Sequence, residues 1–152
     1  MRHRIFSHVA WTTRARIPMI DRELAEYLAE LLPRIAGEER AELLALGIVT
    51  THVHALVRIN PKTEIPRLLQ RLKGSSAFLA KKERNRVLQW APGYNLESVG
   101  AGSLATARKY VANQHERHPY QAIDGWPMME PEDPIAISQR ATEYLQRLDS
   151  LR

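Results

Sequence analysis

Thr51-His52-Val53-His54-Ala55-Leu56-Val57-Arg58-Ile59 reads as a strand suited to the interior of a sheet. Successive side chains on a strand point to opposite faces, so Val53 can enter a core while His52 and His54 share the other face. Their Cα atoms would then lie roughly 6–7 Å apart. Working outward, Leu43–Val49 reads as the preceding strand, although helix propensity competes there and no Gly-Asn turn marks the boundary. Ile5–Thr13 (IFSHVAWTT), rich in β-branched and aromatic residues, predicts an opening strand that Pro18 ends. Tyr94–Val99, after the Pro92-Gly93 turn, predicts a fourth.

Helical spacing fills the gaps. Asp21 is the expected N-cap of a helix carrying Leu24, Tyr27, Leu28, Leu31, Leu32 and Ile35, with Gly37 as its stop. Thr63 is the expected cap of a second helix with Ile65, Leu68, Leu69, Leu72 and Leu79 on its buried stripe, interrupted by Gly74-Ser75-Ser76. Ser103 is expected to cap a third, running to about His115. Asp133-Pro134 would open a last amphipathic helix bearing Ile137, Ala141, Leu145 and Leu148. The order strand–helix–strand–strand–helix–strand predicts an α+β fold, a ferredoxin-like split βαβ antiparallel sheet with helices on one face, plus a C-terminal helical extension. Such a fold hosts many functions, so it does not choose one.

The 152 residues suit one compact domain with its own core, and 44% apolar with 26% charged residues is ordinary for a globular chain. No apolar run approaches the roughly 20 residues of a membrane span, and no signal-peptide core follows Met1-Arg2-His3-Arg4. The expectation is a cytoplasmic protein with no membrane partner. With no cysteine, any metal site must use His, carboxylate or amide ligands. The net charge of +5 is uneven: residues 123–152 hold six acidic groups against three arginines, leaving +8 on residues 1–122. Between Lys62 and Arg86, eight basic residues stand against two acidic ones. A polyanionic partner fits that body, and so does a plain solvated surface.

The pair His52 and His54 could grip one metal ion or be two half-exposed imidazoles with no ligand; the spacing leaves both open. On the third helix, Tyr110 and Gln114 stand one turn apart at the edge of the apolar face formed by Leu104, Ala107 and Val111. Gln114 offers an amide oxygen, an acceptable third ligand beside two imidazoles. Tyr110 could attack a phosphate, provided a metal or base assists a phenol whose ordinary pKa is about 10. Equally, both residues fit an ordinary core-edge aromatic and a solvated amide.

Taken together, His52-Val53-His54 on a strand and Tyr110-x-x-x-Gln114 on a later helix resemble the single-tyrosine HUH transposases of bacterial and archaeal insertion sequences, including their REP-associated relatives. The resemblance spans about residues 5–117. His8-Val9-Ala10-Trp11-Thr12-Thr13-Arg14-Ala15-Arg16-Ile17-Pro18 looks like the family's opening strand, Leu72-Lys73-Gly74-Ser75-Ser76 its second helix, and Trp90-Ala91-Pro92-Gly93-Tyr94 its approach to the fourth strand. This divides the chain into a transposase domain over 1–118 and an acidic extension over 119–152.

The resemblance implies that the chain cuts and rejoins single-stranded DNA at hairpin-marked sites through a 5′-phosphotyrosine intermediate. It implies Tyr110 as nucleophile, His52, His54 and Gln114 as ligands of a divalent ion, Mg2+ or Mn2+, and a homodimer formed by joining sheets. Arg14 and Arg16 after the first strand, and Arg67, Arg71 and Lys73 on the second helix, become candidate contacts to DNA phosphates. His115 or His118 could join or replace Gln114, although the helix turns His115 roughly 100° away. Three alternatives remain: a relaxase- or replication-type nickase, a non-catalytic or domesticated hairpin-DNA-binding protein, and a small-molecule-binding regulator on the same fold.

Overall fold

The structure, a computed structural model, describes residues 3–127 and Gln146. Four strands, β1 (Ile5–Thr12), β2 (Ala41–Ile48), β3 (His52–Ile59) and β4 (Asn95–Val99), form one sheet in the order β2-β3-β1-β4, antiparallel throughout. The helices α1 (Arg22–Glu38), α2 (Ile65–Gln70) and α3 (Ser76–Arg84) fill the connections, followed by α4 (Leu104–Ala112) and α5 (Gln114–Arg117). This is the split βαβ order expected from the sequence. The helix expected from Asp133 lies outside the described residues.

The period of two along the strands sorts the side chains. Val9, Trp11, Val53, Ala55, Val57 and Ile59 point to one face and form the main core with Leu24, Leu28, Leu32 and Ile35 of α1 and with Leu68, Leu69, Leu72 and Ala80. The opposite face carries Phe6 and Leu56, on which α4 lays Leu104 and Val111 as a smaller core. So α1, α2 and α3 share one face, while α4 crosses the other. His8, His52 and His54 stand on the α4 face, because they alternate with core residues.

Several local expectations shift. Asp21 does cap α1, accepting a hydrogen bond from the Leu24 N–H at 3.0 Å. Gly37 does not stop that helix; it runs on to Glu38, and the reversal falls at Arg40, whose φ is +59°. Glu38 and Glu39 gain ion pairs there with Arg71 and Arg67, which favours the extra residue. Thr63 is not the cap of α2 either. Its Oγ1 donates to the Arg40 carbonyl at 3.0 Å and accepts from the Asn60 N–H, fastening one loop to another. The interruption at Gly74-Ser75-Ser76 is real: Arg71–Ser75 form a wider π-helical turn between α2 and α3. Ser103 makes no side-chain cap, and the third helix breaks at Asn113 rather than running to His115.

Candidate functional site

Three elements meet on the α4 face: β1 brings His8, β3 brings His52 and His54, and the α4–α5 segment brings Tyr110, Gln114 and His118. Ala10 pairs with His54 and Thr12 with His52 across β1 and β3. His8, two residues before Ala10, presents its ring on the same face. The His8 and His54 rings stack with centroids 4.9 Å apart. His8 Nε2 and His54 Nδ1 share a hydrogen bond of 2.7 Å. On its neighbour, His52 Nδ1 shares a 3.1 Å hydrogen bond with Thr51 Oγ1. His52 and His54 therefore each have Nδ1 engaged by the protein and Nε2 as the remaining ligating atom. The sequence carried no separate signal for His8 or Thr51 as partners, since the pairing register alone brings them there.

Tyr110 sets its ring edge-on to both imidazoles, 5.6 Å from His8 and 5.9 Å from His54 by centroid. The guanidinium of Arg117 lies 4.2 Å from the centre of the same ring. Gln114 is fully buried at the start of α5. Its Nε2 donates to the Tyr110 carbonyl at 2.9 Å, so the one-turn relation between the two survives the break at Asn113. His118 follows one turn later, its N–H bonded to the Gln114 carbonyl and its ring 5.1 Å from that of His52. His115 lies beside Glu116 instead.

Gly47 explains how this segment comes so close to the sheet. It pairs with His54 on β3. A Cβ built there would collide with the Val111 carbonyl oxygen and meet Gln114 Cγ at 2.8 Å. Only a residue without a side chain lets α4 and α5 lie against β2, and a glycine inside a strand pattern is the general mark of such an approach.

Burial sets the electrostatics. His54 is held well below the ordinary imidazole range, to about 3, chiefly by desolvation and then by the neighbouring His52, His8 and His118. His52 is lowered chiefly by desolvation, the Gln114 amide opposing the shift while His118 and Arg16 add to it. His8 is lowered by desolvation, with Glu97 pulling the other way. These imidazoles are the neutral form that ligates metals.

The donor set can be tested for fit. Gln114 Oε1 is buried with no partner at ordinary hydrogen-bond geometry, and the amide lies close enough to His52 to favour its protonated form, so its oxygen faces the histidine pair. Among the described residues, no group of three or more His, Cys, Asp or Glu side chains is arranged to hold a metal. Beside His52 and His54, the buried amide oxygen of Gln114 has the donor chemistry of a third protein ligand for a divalent ion. The residues fit.

The five basic candidates divide. Arg16 lies near enough to His52 to disfavour its protonation, and Arg14 and Arg16 are exposed on the turn after β1. Arg67 pairs with Glu39, and Arg71 with Glu38 and Glu39, on the far side of the sheet. Lys73 donates to the Ala91 and Gly93 carbonyls at 2.8 and 2.7 Å, holding the turn before β4. Those three are not brought to the histidines. No helix among the described residues is long and apolar enough to cross a membrane.

Comparison with known proteins fits this site. Residues 2–114 match the family described as "Transposase IS200 like". The ISDra2 transposase TnpA of Deinococcus radiodurans is 29% identical over 117 residues, 72% of this chain and 84% of that relative. A crystal structure of a transposase from Deinococcus radiodurans R1 superposes with a TM-score of 0.59 at 29% identity, covering 76% of this chain and 94% of that one. A REP-associated tyrosine transposase bound to a REP hairpin superposes with a TM-score of 0.61 at 10% identity, covering 84% and 76% of the respective chains, a likeness of fold.

Proposed function

The chain belongs to the IS200-like transposase family, and from that premise we propose that it cuts and rejoins single-stranded DNA at hairpin-marked sites through a covalent bond to Tyr110. The observation that carries this reading is the convergence of His52, His54 and the fully buried Gln114 one turn from Tyr110, with the Gln114 amide turned toward His52.

In the proposed reaction the Tyr110 oxygen attacks a phosphodiester phosphorus. A phosphorus–oxygen bond forms to the phenol as the bond to the 3′-oxygen breaks. The phenol gives up one proton and the leaving 3′-oxygen takes one up, so the products are a 5′-phosphotyrosine and a free 3′-hydroxyl. Attack by a DNA 3′-hydroxyl reverses the step and rejoins a strand. His52, His54 and Gln114 would hold Mg2+ or Mn2+, which supplies charge neutralisation at a phosphate oxygen. Arg117 and the His8–His54 pair keep the phenol ring in place on two sides. Arg14 and Arg16 offer phosphate contacts on the histidine side.

Strand β4 ends the sheet, with Leu96 exposed on it, and is where the corresponding strand of a second copy would join to make a homodimer.

The test is incubation with labelled single-stranded DNA carrying hairpins from the flanks of the gene, with Mn2+ or Mg2+, read on a denaturing gel. A metal-dependent protein–DNA adduct that vanishes in Tyr110→Phe is expected. Hairpin binding without an adduct under either ion would replace this reading with a non-catalytic hairpin-binding protein. An adduct surviving in Tyr110→Phe would mean another nucleophile.

A further inference from the structure

We propose that the cleft between β4 and α4 seats a nucleobase flanking the attacked phosphate, and that Glu97 and Asn95 read it. The inference rests on the reaction proposed above and adds the specificity that the reaction needs.

The cleft has a volume of about 640 Å³, and His8, His54 and Tyr110 stand among its walls. That size is ample for a nucleoside, within the roughly 300–1,000 Å³ usual for small-ligand sites. Its polar lining comes from Asn95, Glu97, Ser98, Ser103 and Thr106, and neither lysine nor arginine lines it. Away from the ion that His52, His54 and Gln114 would hold, a phosphodiester placed there would face a carboxylate with no lysine or arginine to offset it. A base carries no charge and seeks hydrogen-bond partners.

The neighbouring cleft makes the contrast. It also touches Tyr110, but Lys109 and Arg117 line it against the single carboxylate of Glu116, together with Asn113, in a volume of about 290 Å³. Tyr110 thus stands between a side with cations and a side without. A strand laid across the phenol would put the attacked phosphate at the ion held by the histidines, the neighbouring phosphates toward Lys109 and Arg117, and a flanking base toward β4.

The register aims the readers. Glu97 pairs with His8 and Asn95 with Ala10 across β1 and β4, so both share the face of the histidines. Ala10, Gly100, Gly102 and Ala107 contribute no bulk to the cleft, and the rings of Tyr110 and His8 supply aromatic surface for stacking. A carboxylate only accepts hydrogen bonds. Thymine offers a carboxylate only its N3–H, set between two carbonyl oxygens that repel the charge, so Glu97 favours a base with an exocyclic amino group (adenine, cytosine or guanine).

The experiment uses the full chain and the cleavage position mapped from its own adduct. Adduct formation is compared across oligonucleotides that differ only in the two bases flanking that position. One position should discriminate an amino-bearing base from thymine by about fivefold or more. Glu97→Gln, which can donate as well as accept, should bring that ratio close to one, and Asn95→Ala should slow adduct formation while preserving the ratio's direction. No flanking preference in the parent chain, or an unchanged ratio in Glu97→Gln, overturns the proposal. If no adduct forms at all, the reaction proposed above fails by itself. The same base series, scanned along both strands flanking the hairpin by fluorescence anisotropy, then decides the cleft: a thymine penalty erased by Glu97→Gln supports it, and its absence overturns it.

Discussion

His8 Nε2 lies 2.7 Å from His54 Nδ1, and the two rings are inclined by only 24°. A partner on the far nitrogen of a ligating histidine fixes its tautomer and its aim, and losing one typically costs 10- to 100-fold in metal affinity. His8→Ala should weaken Mn2+ binding by about that factor in a titration without DNA. His8→Gln, which keeps a hydrogen-bonding group near His54, should recover part of the loss. Equal Mn2+ affinity in His8→Ala and the parent chain would reduce His8 to packing.

Gly47 offers a steric test of the same site. Its missing Cβ is the space taken by the Val111 carbonyl and Gln114. Gly47→Ala should force α4 and α5 away from β2, at a cost of about 1–3 kcal/mol in unfolding free energy. Tyr110 and Gln114 ride on that segment, so adduct formation should fall further than stability alone explains. A variant with parental Tm and parental adduct yield would contradict the close approach.

The arginines can be told apart by salt. Arg16 stands near His52, whereas Arg67 is paired with Glu39 on the other side of the sheet. Arg16→Ala should weaken binding of hairpin oligonucleotides and lower the salt dependence of log K by about one unit of slope. Arg67→Ala should leave that slope where it was. Equal loss of slope in the two variants would show that the DNA reaches both faces.

How much of this was legible in the sequence depends on range. The alternation around His52-Val53-His54 was readable because a strand's period depends only on neighbouring residues. The spacing of Tyr110 and Gln114 was readable because a helical turn is local as well. The role of His8 and the tolerance at Gly47 were not, since both depend on which strand or helix lies alongside. Thr63 and Gly37 misled for a related reason: a cap and a stop are local preferences, and here contacts with Arg40 and with Arg67 and Arg71 overrode them. The basic residues between Lys62 and Arg86 looked like one stripe, yet Arg67, Arg71 and Lys73 are committed to carboxylates and carbonyls within the fold.

Asp21 gives a pH dependence with a definite sign. Its hydrogen bond from Arg86 is the largest influence holding its carboxyl below the usual range; desolvation opposes that, and the Leu24 N–H adds to it. A carboxylate depressed in the folded state stabilises above its unfolded pKa, and the benefit is lost as pH falls through the folded value. Asp21→Ala should lower stability by about 1 kcal/mol at neutral pH. The gap between parent and variant in urea unfolding should narrow as pH drops below about 4, where the unfolded carboxyl takes up its proton. A gap that stays constant down to about pH 2 would show that the charge of Asp21 is immaterial.

Strand β3 keeps its two duties on opposite sides: Val53, Ala55 and Val57 hold the main core, while His52 and His54 face α4. Inheritance can act on these sides separately. On the proposed reading, a change at either histidine removes an ability while sparing the architecture, so a descendant that has lost its chemistry need not be lost as a protein. Such a descendant would still present its arginines and its sheet edge, ready to be kept by its host for holding DNA instead of moving it.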